Sequence, residues 1–188
     1  MANTPAKGNT KKYTVKEVAN MENHAELIGG KLVITECTTV SHQRAVRKIE
    51  QSLNQYIEEH NGQCEVFRET VFLFCNELCD HKDNLFMPDI MVVCDNSGIK
   101  ENGIHVAPKF VAEVTSVSTK KQDYLTKTTV YDEIGVQEYW IVDLQRKVIV
   151  RHLSENEFLP EMYFYPASTV IPIQSYPGLE IDVSQIFE

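Results

Sequence analysis

A chain of 188 residues, 43% hydrophobic and 24% charged, is long enough for one domain with a real core and short for two. Its charge of 18 − 27 = −9, with histidine neutral, argues against binding nucleic acid through a broad basic face. It leaves open a site where carboxylates hold a divalent cation and so reverse the local field. No apolar run approaches a membrane span, and the polar start lacks a secretory apolar region. A cytoplasmic protein is expected, with a flexible tail over residues 1–12 and one domain over 13–188.

Thr14-Val-Lys-Glu17 has capping-box spacing and predicts a short helix to about Met21. Ala25 to Thr35 reads as a hairpin about Gly29-Gly30. Ser41 is the expected N-cap of a long amphipathic helix to His60, with Val46, Ile49, Leu53, Tyr56 and Ile57 at helical spacing and Asn61-Gly62 as the stop. Residues 64–74 are rich in β-formers, and Asn76 to Asn84 reads as an exposed loop. Ile90–Cys94 and Phe110–Val114 have the pattern of central strands buried on both faces. A helix is predicted over Lys121–Ile134, ending at Gly135. A strand pair follows over Glu138–Asp143 and Lys147–Arg151, then further strands broken by Pro160, Pro166, Pro172 and Pro177. The order implies an α/β fold, a central mixed β-sheet flanked by helices.

The five cysteines, Cys37, Cys64, Cys75, Cys79 and Cys94, are an odd count scattered mostly through apolar segments. No disulfide framework is expected, and a reducing compartment fits. Cys75, Cys79 and His81 could offer ligands to zinc, but no second ligand pair stands at zinc-site spacing, so an ordinary loop is the expectation.

Polar residues inside apolar strands carry the chemical signal, because a buried charge must be paired, neutralised or bound to a metal. Asp89 opens an apolar strand after Pro88, and Glu113 lies mid-strand in Phe-Val-Ala-Glu-Val. By itself Pro88-Asp89 is an ordinary turn pair, whereas a mid-strand glutamate seldom serves packing. Two carboxylates on adjacent strands repel unless a cation or proton intervenes, and Mg2+ suits such a pair. Lys127 stands four residues from both Asp123 and Tyr131, on one helix face, and can point at the pair if the helix packs across the sheet. Tyr139-Trp140 is expected to place one ring in the core. Ser116, Ser118 and Thr119 are expected helix caps, and Glu58-Glu59 and Lys120-Lys121 solvated faces. No Gly-x-Ser-x-Gly elbow and no Walker-type glycine loop is present.

At these positions the sequence resembles a family. Pro88-Asp89, Phe110-Val-Ala-Glu-Val-Thr-Ser116, Ser118-Thr119, Asp123, Lys127-x-x-x-Tyr131 and Gly135-Val-Gln-Glu-Tyr-Trp-Ile-Val-Asp143 are similar to the Uma family of restriction endonucleases. That family belongs to the PD-(D/E)XK nuclease superfamily. Glu26 to Val33, Ser41-His-Gln43 and Gly178 to Phe187 extend the resemblance, from about residue 14 to the C-terminus. It implies a restriction-endonuclease-like core and metal-dependent cleavage of phosphodiester bonds in DNA. Asp89 and Glu113 would then ligate Mg2+, with Mn2+ as its substitute, and Lys127 would stabilise the transition state. The superfamily pattern sets a lysine two residues after the glutamate, where this chain has Thr115, and Lys127 matches relatives that supply it from the following helix. Gly29 stands where the family usually has an acidic residue; Glu26 remains as an extra acidic group, with His42 a weaker candidate. A homodimer would suit cleavage of both strands. The alternative is an inactive nucleic-acid-binding or regulatory protein on the same fold.

Overall fold

A computed structural model describes residues 12–21, 24–34, 38–115 and 121–187. The tail expected over 1–12 lies outside these apart from Lys12, as do Ser116, Ser118, Thr119 and Lys120.

Helix α1 (Val15–Ala19) begins with the expected capping box, Thr14 accepting from the Glu17 amide while the Glu17 carboxylate accepts from Thr14. Strands β1 (Ala25–Ile28) and β2 (Lys31–Ile34) form the expected hairpin. Its turn sets Gly29 at φ 55° and Gly30 at φ 76°, left-handed positions where a side chain would be strained. Helix α2 (Val40–Glu59) is the long amphipathic helix. Its cap is Thr39 rather than Ser41: Thr39 has extended backbone and its hydroxyl accepts the His42 amide at 3.2 Å. Ser41 instead bonds the Thr39 hydroxyl at 2.9 Å.

Strand β3 is shorter than the run of β-formers suggested, ending at Arg68 (Glu65–Arg68), with Thr70 at φ 68° breaking extended geometry. A short helix α3 (Cys75–Leu78) opens the expected loop. Strand β4 (Ile90–Val93) is followed by an unanticipated small hairpin, β5 (Ile99–Lys100) and β6 (Gly103–Ile104). Then come β7 (Phe110–Thr115), α4 (Lys121–Glu133), β8 (Glu138–Asp143), β9 (Val148–Leu153) and β10 (Pro160–Phe164). A separate pair, β11 (Val170–Pro172) and β12 (Glu180–Asp182), and α5 (Ser184–Phe187) close the chain.

The main sheet has the order β10-β9-β8-β7-β4-β3, with β7 and β8 parallel and the other neighbours antiparallel. The parallel pair requires a crossover, which α4 supplies. Both faces are covered. Ala45, Val46, Ile49 and Leu53 of α2 pack with Ile90, Val92, Phe110, Ala112 and Trp140. Val130, Tyr131 and Ile134 pack on the other face with Met91, Val111 and Tyr139. The period-2 alternation of the strands therefore buries Tyr139 and Trp140 alike, on opposite faces, rather than only one of them. Among the described residues no helix is long and apolar enough to cross a membrane.

The cysteines correct the expectation of no disulfide. Cys64 and Cys94 are joined, 30 residues apart in sequence. They flank Glu65 and Val93, which are partners in the β3–β4 register, so tertiary pairing brings together two thiols that look scattered in the sequence. The odd count thus loses its force as an argument for a reducing compartment. Cys75 is buried, which pushes its thiol pKa well up and disfavours the thiolate a metal needs. Cys79 donates to the Cys75 carbonyl, and His81 pairs with Glu133 at 2.9 Å. Closing a loop of this length should stabilise the fold by about 2–4 kcal/mol. Urea unfolding with and without dithiothreitol should show that difference, and Cys64→Ser should abolish it.

Candidate active site

The antiparallel register pairs Ile90 with Ala112 and Arg68 with Ile90. Carried one residue further, it sets Glu69, Asp89 and Glu113 side by side across three neighbouring strands. Asp89 and Glu113, two polar residues chosen from sequence, are thereby cross-strand neighbours.

Glu113 is buried (7% exposed) in the middle of the sheet, facing α4. Its Oε1 accepts from Lys127 Nζ at 2.7 Å and from the Tyr131 hydroxyl at 2.8 Å. Lys127 also reaches Glu26 Oε1 at 2.8 Å, and that oxygen accepts the Met87 amide at 2.8 Å. Lys127 is thus not a solvated helix residue: it stands one turn before Val130 and Tyr131, on the buried face of α4. Thr115, at the position where the superfamily pattern sets a lysine, is buried and hydrogen-bonds with Tyr124. The side chain of Asp123 lies outside the described residues.

Asp89 Oδ2 accepts the Val114 amide at 2.6 Å and lies 3.3 Å from His42 Nε2. His42 comes from the first turn of α2, where the Thr39 cap fixes the entry of the helix. Its other nitrogen, Nδ1, lies 3.6 Å from Glu69 Oε1. Gln43 Nε2 donates to both oxygens of Glu69, at 2.9 and 3.1 Å. Glu69 was not singled out from sequence; within a run of β-formers it carries no sign that separates it from a solvated strand-end glutamate.

Four carboxylates (Glu26, Glu69, Asp89, Glu113) meet one ammonium here, −4 + 1 = −3, or −2 if His42 is protonated. The shifts follow. Burial raises the Glu113 pKa to about 7, with Asp89 and Glu26 adding to it against Lys127. Burial would lower Lys127, yet Glu113 and Glu26 outweigh it and hold the ammonium firmly charged. Burial would likewise lower His42, but Asp89, Glu69 and Glu113 raise it.

The residues fit a divalent cation. Both protein donors to Glu113 fall on Oε1 and both contacts to Asp89 fall on Oδ2, so among the described residues Oε2 and Oδ1 stay uncommitted. Hard dications take such oxygens, and the surplus negative charge is what one would neutralise.

A mixed sheet with a carboxylate pair at its central strands and a helix-borne lysine on them defines a restriction-endonuclease-like fold. The chain belongs to the Uma2 family, described as "Putative restriction endonuclease", whose model matches residues 12–184. Among solved structures it is similar to a putative nuclease of the DUF820 group from Anabaena variabilis. The TM-score is 0.69 at 19% identity, over 89% of this chain and 91% of that one. At that identity the likeness speaks for the fold. No curated protein matches the chain.

Proposed function

We propose that the chain is a metal-dependent endonuclease that hydrolyses phosphodiester bonds in DNA. The observation that carries this reading is the pairing of Asp89 with a buried, lysine-bonded Glu113, each with one oxygen fixed and, among the described residues, one uncommitted. Asp89 and Glu113 would hold Mg2+, with Mn2+ as substitute. When bound, such a cation supplies Lewis-acid polarisation of the phosphoryl group and a lowered pKa for the attacking water.

The chain's own residues set this up. The Val114 amide and His42 orient Asp89, while Lys127 and Tyr131 orient Glu113 and favour its ionised form. An ammonium has three N–H groups. Glu26 and Glu113 take two, and the third can donate to a phosphoryl oxygen as charge builds there. A chain of net charge −9 meets a polyanion best where a cation reverses the field, so substrate binding and metal binding should be linked. A two-fold homodimer would place two such sites on a duplex.

Asp89→Asn and Glu113→Gln preserve shape and remove charge. Each should lower Mg2+-dependent plasmid cleavage by about a hundredfold or more, with circular dichroism unchanged, and EDTA should stop the wild type. Undiminished cleavage by both variants would rule the assignment out; DNA binding by a wild type that never cleaves would mark an inactive binding protein.

A further inference from the structure

Beside the Asp89–Glu113 pair the pocket holds a second constellation with different chemistry. His42, Glu69 and Asp89 are, among the described residues, the set of three ligating side chains whose ligand atoms all lie within 4.8 Å of one another. They come from three separate elements: the first turn of α2, the residue after β3 and the residue before β4. Nothing in the local sequence links them. The α2–β3 packing and the two registers bring them together.

Two features separate this set from an ordinary acidic cluster. The His42 ring is buried (6% exposed), and among the described residues its Nδ1 has no hydrogen-bond partner although it faces Glu69 Oε1 at 3.6 Å. An unpartnered ring nitrogen inside a protein is costly unless a ligand takes it up. Moreover, the ring lies between two carboxylates, Nδ1 toward Glu69 and Nε2 toward Asp89. Gln43 holds Glu69 in place from the same helix turn, with both of its contacts to Glu69 donated by one amide nitrogen.

We propose that His42, Glu69 and Asp89 form a cation site of one nitrogen and two carboxylates, selective for a transition-metal dication such as Mn2+ over Mg2+. An imidazole nitrogen gains more from a first-row transition metal than from Mg2+, which favours oxygen ligands and dehydrates reluctantly. The proposal rests on the nuclease reading for the use of the pocket, since Asp89 is common to both. It assigns Glu69 and His42 as ligands that the Asp89–Glu113 pair does not require.

The test is calorimetric titration of the full chain with MnCl2 and, separately, MgCl2 at pH 7.5 without DNA. Loss of the free-Mn2+ electron paramagnetic resonance signal is followed in parallel. Wild type should bind Mn2+ at least about tenfold more tightly than Mg2+. Glu69→Gln and His42→Gln should each weaken Mn2+ by about tenfold or more and erase the preference, with melting curves showing both folded. Equal affinity of wild type for the two ions overturns the proposal without any variant. So does unchanged Mn2+ affinity in both folded variants. Plasmid cleavage separates the two readings. Cleavage by wild type without Mn2+ preference sinks this proposal alone, whereas selective Mn2+ binding with no cleavage in either metal sinks the nuclease reading alone.

Discussion

Replacing Lys127 with methionine should cost about 3–5 kcal/mol of stability in EDTA at pH 8, and lower cleavage about a hundredfold. Methionine nearly matches the lysine stem in volume, so the loss measures charge rather than a cavity. The ammonium lies 2.8 Å from Glu26 and 2.7 Å from Glu113, and all three residues are buried. Without it two carboxylates face each other in a medium that screens poorly, and breaking one member of a buried ion cluster leaves uncompensated charge. The deficit should shrink at pH 5, where Glu113 can accept a proton. Adding Glu113→Gln to the methionine variant should recover part of it at pH 8. A loss under about 1 kcal/mol by urea unfolding at both pH values, the level of a surface pair, would mean that Lys127 is not what neutralises this cluster.

The same residues show what could be read in advance. Glu113 was legible because a charge in an apolar strand contradicts its surroundings, which needs only local pattern. Asp89 by itself reads as an ordinary turn residue after Pro88 and gains weight only as the neighbour of Glu113 on the adjacent strand. Lys127 is buried for a reason that spacing half reveals: it shares a face with Tyr131, but that this face meets Glu113 depends on how α4 crosses the sheet. Glu26 and His42 entered only through resemblance to a family. Glu69 did not enter at all. Its place beside His42 comes from packing between elements 27 residues apart, and one-residue registers decide it.

The disulfide and the buried ring pair fail for a related reason. Cys64 and Cys94 become neighbours only once β3 pairs with β4. Tyr139 and Trp140 are both interior only once helices cover both faces of β8. Composition and period describe one strand at a time. They foresaw the sheet and its flanking helices well, and the contacts across strands poorly. The cap of α2 shows the limit at its smallest. Thr39 and Ser41 are equally good capping residues, and the backbone angles at Thr39 choose between them.

In EDTA the stability of the protein should fall as pH rises from about 4.5 to about 7, opposite to the usual behaviour of paired carboxylates. Burial, reinforced by Asp89 and Glu26 and opposed by Lys127, lifts the Glu113 pKa from 4.5 to about 7. Between those values the unfolded chain has released its proton while the native state keeps it, so the native state binds more protons and acid favours it. The contribution is complete below 4.5, is lost across the window and is absent above 7. A shift of this size corresponds to something on the order of 3 kcal/mol. Glu161 contributes with the other sign: hydrogen bonding to Arg151 lowers its pKa, so its stabilisation disappears only in stronger acid, as pH falls through that lowered value. Glu113→Gln keeps an oxygen for Lys127 and Tyr131 without the ionisation. Its profile through the window should be flatter than that of wild type, and above pH 7 it should be the more stable protein in EDTA. Saturating Mg2+ should reverse that order, because a cation stabilises only the ionised carboxylate and its effect therefore grows with pH. Melting temperatures of both proteins at half-unit intervals, with and without Mg2+, decide the matter: parallel curves in EDTA would show that the cost of keeping Glu113 ionised lies elsewhere. A site that is least stable under the conditions in which it should work, and is relieved by the ion it should bind, would be the thermodynamic mark of a metal centre.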